Sequence, residues 1–234
     1  QTIYNDLAYL MPTVLGENLP EILQKLGMCS LEGDFTYKTT SLLTNLLLKT
    51  ADGEAHIDGF LDDLTHTDKT IFKADLRTQQ LHLGKLLGDY SMGALTADLV
   101  VRGQGFEPKT MQLFANGSIH SFGYNGYQYK RIGVNGELRR EVFNGKIDIR
   151  DPNLTMKFDG LADLSGKKNK FNFQADIAIA DLHALKFMEK DTISQFCGKV
   201  IIDISGNDLD DIVGKIDFKN TNYINSAGDF TFKD

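Results

Sequence analysis

Histidines and carboxylates are the residues of this 234-residue chain whose chemistry could support a reaction or bind a metal. The histidines are His56, His66, His82, His120 and His183. None has a second histidine or a cysteine at the short spacing of a metal site. His82 and His183 each follow a leucine in two related segments. A residue that recurs with its scaffold is more often structural than catalytic, so we interpret both as scaffold residues.

The carboxylates suggest calcium or general acid–base chemistry, yet their spacing supports neither. Asp58, Asp62, Asp63 and Asp68 lie close together but lack the ligand order of a calcium-binding loop. Glycosidases need two carboxylates facing each other across a cleft, and the sequence gives no way to pair them. No G-x-S-x-G nucleophile motif or Gly-rich phosphate loop is present. We therefore predict no catalytic residue, metal or cofactor, and keep an enzyme, such as a glycan hydrolase, as a third hypothesis.

Charge and composition limit the partners. The formal net charge is −7, and lysines and arginines are dispersed among acidic residues, which argues against nucleic acid. We interpret the basic cluster at Lys167, Lys168 and Lys170 as a solvated turn. Cys29 and Cys197 are far apart and predict buried free thiols. No signal peptide or apolar membrane span is visible, and we interpret the chain as an excerpt of a longer protein.

Residue alternation predicts the elements that would position any site. After Gly27, apolar and polar residues alternate with the period of half-buried strands, as in Phe171, Phe173, Ala175, Ile177 and Ile179. Upstream, a cap at Asn18 and a stop at Gly27 predict a helix. We expect a short helical lead-in over 1–30 and one continuous β region over 31–234.

Turn residues predict that the strands form an antiparallel meander. Asn125-Gly126 is the strongest hairpin signal, since both residues accept the positive φ angles of a type I′ turn. Asp151-Pro152-Asn153 and the segment 163–166 are further turn signals.

The β region contains a repeat. Phe72-Lys73-Ala74-Asp75-Leu76 returns as Phe173-Gln174-Ala175-Asp176-Ile177 about a hundred residues later. We place the repeat units at about 31–130 and 131–234. Insertions at Gln80–Asp89 and Ala180–Asp191 occupy equivalent places, and each should form a short helix or turn folded over the sheet. Their apolar stripes are Leu81, Leu83, Leu86 and Leu87 in the first, and Leu182, Leu185, Phe187 and Met188 in the second.

The apolar face of the sheet admits two interpretations. In most β proteins such a face packs on a second sheet or closes into a barrel, and patterning alone favours this. The second interpretation is a curved sheet whose apolar face stays open and holds apolar ligands.

Short motifs in a shared order give the chain a family resemblance. The motifs lie at 84–88, 105–110, 124–127, 143–146, 151–154, 158–161, 175–176, 181–182, 191–194 and 219–221. Each motif alone consists mostly of turn residues, and their order along the chain carries the likeness. In that order, the stretch from about Leu31 to Asp234 resembles the TamB-like proteins of Bacteroidetes-type bacteria, within the AsmA-like superfamily, with a weaker likeness in Asp6–Pro12.

The resemblance implies a fold, a location and a function. The expected fold is all-β: an elongated, curved, mainly antiparallel sheet (a β-taco or half-pipe) built from repeats, with an apolar inner groove and a few short helices. The expected function is a segment of a periplasm-spanning bridge that carries phospholipids between the inner and outer membranes of a Gram-negative bacterium. The parent protein would be anchored in the inner membrane and would meet an outer-membrane Omp85-type barrel through parts not present here. The alternative is a scaffold that assembles outer-membrane proteins by β-augmentation.

With the resemblance, the open groove becomes the favoured interpretation, and phospholipid acyl chains become its expected occupants. No charge pattern for a particular head group is visible. The residues expected to line the groove are Phe143, Ile147, Ile149, Leu154, Met156, Phe158, Phe171, Phe173, Ile177, Val200, Ile202, Ile204, Ile216 and Phe218.

Overall fold

One curved antiparallel sheet makes up nearly all of the structure, a computed structural model that describes residues 29–38, 40–64, 66, 68–106, 109–188, 190–207 and 209–232. The sheet has 13 strands in sequence order and is not closed into a barrel. The predicted all-β, mainly antiparallel fold is therefore confirmed. The expectation from patterning alone, a self-packed sandwich or barrel, is wrong.

The element bounds follow the alternating segments of the sequence. The strands are β1 (Cys29–Lys38), β2 (Ser41–Thr50), β3 (Gly53–Asp62), β4 (Ile71–His82), β5 (Met92–Gln104), β6 (Gln112–Tyr124), β7 (Tyr127–Arg139), β8 (Val142–Arg150), β9 (Leu154–Asp163), β10 (Lys170–Asp181), β11 (Ser194–Ser205), β12 (Val213–Asn225) and β13 (Gly228–Phe232). Among the described residues, helix α1 (Leu83–Leu87) and a 3₁₀ turn (Leu209–Asp211) are the helical elements.

The predicted hairpin between β6 and β7 is present. Tyr124 pairs with Tyr127, and the intervening Asn125 and Gly126 have φ angles of 47° and 77°. Both angles belong to a type I′ turn, whose twist matches that of the flanking strands. The turn predicted at Asn125-Gly126 is therefore confirmed.

Each strand makes its substantial contacts with the strand before it and the strand after it, and α1 adds contacts to β5. In the described part of the chain, no second sheet packs on either face of the first. The molecule is thus a single layer for most of its extent, which is unusual because an apolar sheet face normally needs a cover.

The repeat is visible as two equivalent irregularities six strands apart. The pairing of β4 shifts between Thr78 and Leu81, and that of β10 shifts between Ile177 and Ala180. A β-bulge bends its strand and reverses which side chains face the core. Both bulges directly precede the predicted insertions, so the same local device turns each insertion toward the sheet.

The bulge corrects one sequence expectation. Ile179 was expected on the apolar face with Ile177, but its side chain is 51% exposed, and Ala180 is buried in its place. The thiols also differ from expectation, because Cys29 and Cys197 are free but half-buried rather than buried. The predicted helix between Asn18 and Gly27 lies outside the described residues, and within the expected lead-in over 1–30 the structure describes Cys29 and Ser30, which begin β1.

Candidate functional site: the apolar face of the sheet

Strand register places all of the predicted lining residues on one face, which we call the apolar face. Cross-strand partners share a face, and residues two apart along a strand do too. The partners include Ile147 with Phe158, Ile149 with Met156, Phe173 with Ile202, and Val200 with Phe218. Four further pairings connect the remaining strands: Phe158 with Ala175, Met156 with Ile177, Phe171 with Ile204, and Ile202 with Ile216.

Most of the lining residues remain partly open to solvent. Phe143, Phe158 and Phe173 are half-buried, and Phe218 is 51% exposed. A closed sandwich core would bury such side chains. We call the uncovered part of the apolar face the open band. It covers the middle of strands β8–β12 and the end of these strands at which the β7–β8 turn lies.

Aromatic rings form a strip on the open band. The ring centroids of Phe143 and Phe158 lie 6.3 Å apart, and those of Phe158 and Phe173 lie 4.9 Å apart. Gly136 and Gly145, directly paired, lie beneath Phe143, where an added Cβ on Gly136 would come within 2.6 Å of the ring. The paired glycines thus let the ring lie against the backbone of the sheet.

The second insertion covers the apolar face at one end of the strands. After the β10 bulge the chain turns through Leu182–Phe187, and Leu185 is 2% exposed. Leu185 belongs to a core cluster with Tyr129, Ile132, Ile149, Leu154 and Ala180. This covered part is called the closed rim. Ile149 and Leu154, two predicted lining residues, are buried there and do not lie on the open band.

In the first insertion Leu81 is buried at the end of β4, and α1 contacts β5. The second insertion folds over the sheet as predicted, because Leu185 belongs to the core cluster. The predicted apolar stripes included too many residues, because the side chains of Leu87, Phe187 and Met188 are exposed.

We expect Leu185→Ala to lower the free energy of unfolding by about 2–4 kcal/mol, because a buried leucine loses its contacts and leaves a cavity. Phe187→Ala, in the same turn but at a site 61% exposed, should change it by less than about 0.5 kcal/mol. Urea unfolding of both variants measures the difference. Equal effects would show that the insertion does not seal this rim.

A buried carboxylate holds the closed rim together. Asp151 is 2% exposed and accepts hydrogen bonds from the Tyr127 hydroxyl, the Lys130 amide at 3.0 Å and the Asn153 amide at 2.9 Å. Asn153 Nδ2 also donates to the Tyr127 hydroxyl at 3.1 Å. The sequence marked Asp151 only as a turn residue, whereas it joins the β8–β9 turn to the start of β7.

Tyr127 gives this network a pH dependence. Burial, together with the hydrogen bond to Asp151, raises the pKa of Tyr127 from 10.0 to about 12. The folded chain holds the phenol proton more tightly than the unfolded chain, so this stabilisation is complete below pH 10 and is lost between pH 10 and about 12. The stability difference between wild type and Tyr127→Phe should shrink over that interval in urea unfolding. A difference that stays constant would contradict the assignment.

The two recurrent histidines lie beside the insertions. His183 Nδ1 bonds the carbonyl oxygen of Met188 at 3.0 Å and so closes its own turn. His82 lies at the start of α1, and its buried Nδ1 has no partner among the described residues. His183 fits the scaffold interpretation, and the His82 amide donates to the Asp52 carbonyl at 2.9 Å.

The opposite face, called the polar face, is suited to water. Its side chains alternate in charge along one row of cross-strand partners, running from Lys199 to Asp176, Lys157 and Asp148. Arg150 donates two hydrogen bonds to Asp148 and holds the pKa of that carboxyl below its usual value. Within the described ranges, no group of three or more potential ligands is placed to hold a metal ion.

Comparison with protein-family models, curated proteins and solved structures found no match for this chain. The TamB-like resemblance therefore remains a prediction from the sequence. No helix in the described part of the chain has the length and apolar character needed to cross a membrane.

Proposed function

We propose that this chain is a segment of a bridge-like protein that carries phospholipids along its apolar face. The observation that supports the proposal is the open band: a row of aromatic and aliphatic side chains with no described element packed over it. Envelope location, an inner-membrane anchor and an Omp85-type partner belong to the same proposal, through parts of a longer parent chain.

Acyl chains match the chemistry of the open band. The strand ladders use the backbone hydrogen-bonding groups within the sheet, so its apolar face offers apolar contact without directional bonds. Each buried CH₂ contributes about 0.8 kcal/mol, and this contribution does not depend on which lipid supplies it. Many acyl chains could therefore occupy the face in turn.

The shape of the apolar face fits a path more than a pocket. One row of partners runs without a break from Leu46 through Ile57, Leu76 and Leu99 toward Phe158. With strands about 4.8 Å apart, 13 strands extend for roughly 60 Å. A lipid bound at one end of such a row meets the same kind of surface at every strand.

Lipid extraction and native mass spectrometry of the purified chain test the proposal. We expect co-purified diacyl phospholipids, released by detergent and restored by incubation with vesicles. An apolar fluorescent probe should compete for the same face. Recovery of no phospholipid, together with exclusion of the probe, would contradict the proposal.

Strand β13 favours a second candidate function, assembly of client strands by β-augmentation. Every residue of β13 is exposed, and it pairs with β12 alone among the described strands. An exposed strand that is paired on one side can template another chain. Photo-crosslinks from Thr231 to nascent outer-membrane proteins, with no lipid bound, would favour this candidate over the first.

A further inference from the structure

A cleft of mixed charge lies at the end of the sheet opposite the closed rim. Its volume is about 750 Å³, and we call it the rim cleft. It is lined by Lys109, Glu137, Arg139, Arg140, Glu141, Val142, Asn144, Leu161 and Ser165. The loop from β5 to β6 and the turn from β7 to β8 supply two cations, Lys109 and Arg140, and the carboxylate of Glu141, and β7 supplies Arg139 and Glu137.

The turn that supplies Arg140 and Glu141 is strained. Their φ angles are 50° and 65°, so two adjacent residues with side chains occupy the left-handed region. The equivalent positions of the β6–β7 turn carry Asn125 and Gly126, which suit a type I′ turn. Strained backbone of this kind collects at functional sites, where the side chains have a use that offsets it.

Neighbouring backbone holds the strained turn in place. The Arg140 amide donates to the Met111 carbonyl at 2.9 Å, and the Leu164 amide donates to the Glu141 carbonyl at 3.0 Å. The adjacent loops therefore fix the turn on both sides. The charged side chains are thus presented from a rigid support.

The charged groups of the cleft are available to a ligand. Arg139 makes one long hydrogen bond of 3.4 Å to Gln112. Across the described residues, no opposite charge pairs within 4.0 Å with Arg140, Lys109, Glu137 or Glu141. A cleft with cations and carboxylates that do not neutralise each other fits a ligand that carries both signs.

The strand residues of the cleft lie on the polar face: Glu137 and Arg139 alternate with Leu138 along β7, and Asn144 follows Phe143 in β8. Leu138 and Phe143 pair directly with each other on the apolar face, and each is adjacent in sequence to a cleft residue of the same hairpin. Two residues separate the hairpin strands β7 and β8 at this rim. A lipid with its tails on the open band could therefore extend its head group over the rim to the cleft.

We infer that the rim cleft binds the head group of a phospholipid that carries a phosphate and a primary ammonium group. Arg139, Arg140 and Lys109 would hold the phosphate through charge-assisted hydrogen bonds, and Glu137 and Glu141 would accept from the ammonium. That the head group belongs to a lipid rests on the proposed function. That the cleft binds a phosphate together with an ammonium group does not.

Soluble head groups test the cleft without any tail. Glycerophosphoethanolamine should bind the purified chain at least about tenfold more tightly than glycerophosphocholine, which has no N–H donor, or inorganic phosphate, which has no cation. Calorimetry or NMR titration measures this. Equal binding of inorganic phosphate would reduce the cleft to a phosphate site and overturn the inference, as would no binding of any of the three.

The double variant Arg140→Asn with Glu141→Gly distinguishes a role of these side chains in ligand binding from a role in folding of the turn. It installs preferred turn residues, so it should fold, raise Tm by about 2–4 °C and lose about tenfold in glycerophosphoethanolamine affinity. Arg131→Asn, at another arginine with positive φ outside the cleft, is the matched control and should keep the affinity. Higher stability with unchanged affinity would overturn the inference.

The two proposals can fail separately. In extracts of the double variant the total bound lipid should equal that of wild type, with the enrichment in phosphoethanolamine lipids lost. A wild-type chain that binds glycerophosphoethanolamine but holds no lipid would refute the proposed function and leave the cleft as a head-group site. Bound lipid whose composition does not respond to the double variant would refute the cleft alone.

Discussion

Ile202→Arg should strongly weaken phospholipid binding on β10–β12 of the open band while the chain still folds. Ile202 lies on the open band between its cross-strand partners Phe173 and Ile216 and is half-buried. An arginine placed among acyl chains costs about 2.5–3.5 kcal/mol, which corresponds to about a hundredfold loss of affinity at this part of the open band. The amount of phospholipid per chain, measured by native mass spectrometry, gives the result.

The chain provides its own control one residue away. Ile201 has the same side chain in the same strand but lies on the polar face, between Gln174 and Asp217. Ile201→Arg should leave lipid occupancy within about twofold of wild type, since a charge there stays in water. Equal loss in both variants would indicate a general defect in folding, and no loss in Ile202→Arg would contradict the open band as the lipid path.

Asp151→Ala should give the largest loss of stability of the substitutions considered. It leaves the Tyr127 hydroxyl and the amides of Lys130 and Asn153 without their acceptor. An unsatisfied buried donor costs about 1–3 kcal/mol, so we expect a loss of about 3 kcal/mol or more and a fall in Tm of about 10 °C. Thermal unfolding followed by circular dichroism measures it.

Asp159→Ala is the matched control for this prediction. Asp159 is an exposed carboxylate on the neighbouring strand and pairs with Lys146 at 3.2 Å. Exposed pairs contribute about 0–1 kcal/mol, so Tm should change by no more than a few degrees. Comparable losses in the two variants would show that the Asp151 network does not hold the closed rim.

The shared face of the lining residues could be predicted because alternation is a local property of each strand. Once neighbouring strands pair without a slip, residues such as Ile147 and Phe158 must share a face. The extent of cover could not be predicted in the same way. Ile149 and Leu154 have the same pattern as Ile147, and only the returning insertion distinguishes them.

The two bulges could not be predicted from the sequence, because no residue type that favours a bulge occurs at either position. Gln80 takes a φ of 50° in the β4 bulge without glycine or asparagine at that position, and the β10 bulge falls in the apolar run Ile177–Ala180. The following segment must bend over the sheet, and tertiary packing imposes the irregularity. Ile179 therefore points outward despite its place in an otherwise regular pattern.

The rim cleft was missed because its charges come from distant parts of the sequence. Lys109 and Arg139 line the same cleft because the β5–β6 loop folds beside the end of β7. The residues Arg140-Glu141 are not a turn signal. The sequence showed only that no head-group pattern was visible. The available signal was a two-residue hairpin turn formed by Arg140 and Glu141, residue types that disfavour the positive φ angles such a turn requires.

The contact pattern of the sheet has a mechanical consequence. Because each strand makes its substantial contacts with the strands directly before and after it, a pulling force applied at one end of the chain loads one ladder at a time. Such a sheet should peel strand by strand, with a series of small force peaks and short gains in length. The ladders beyond the peeling point would keep their shape, so a protein stretched between two attachment points could yield at one end and remain intact along the rest.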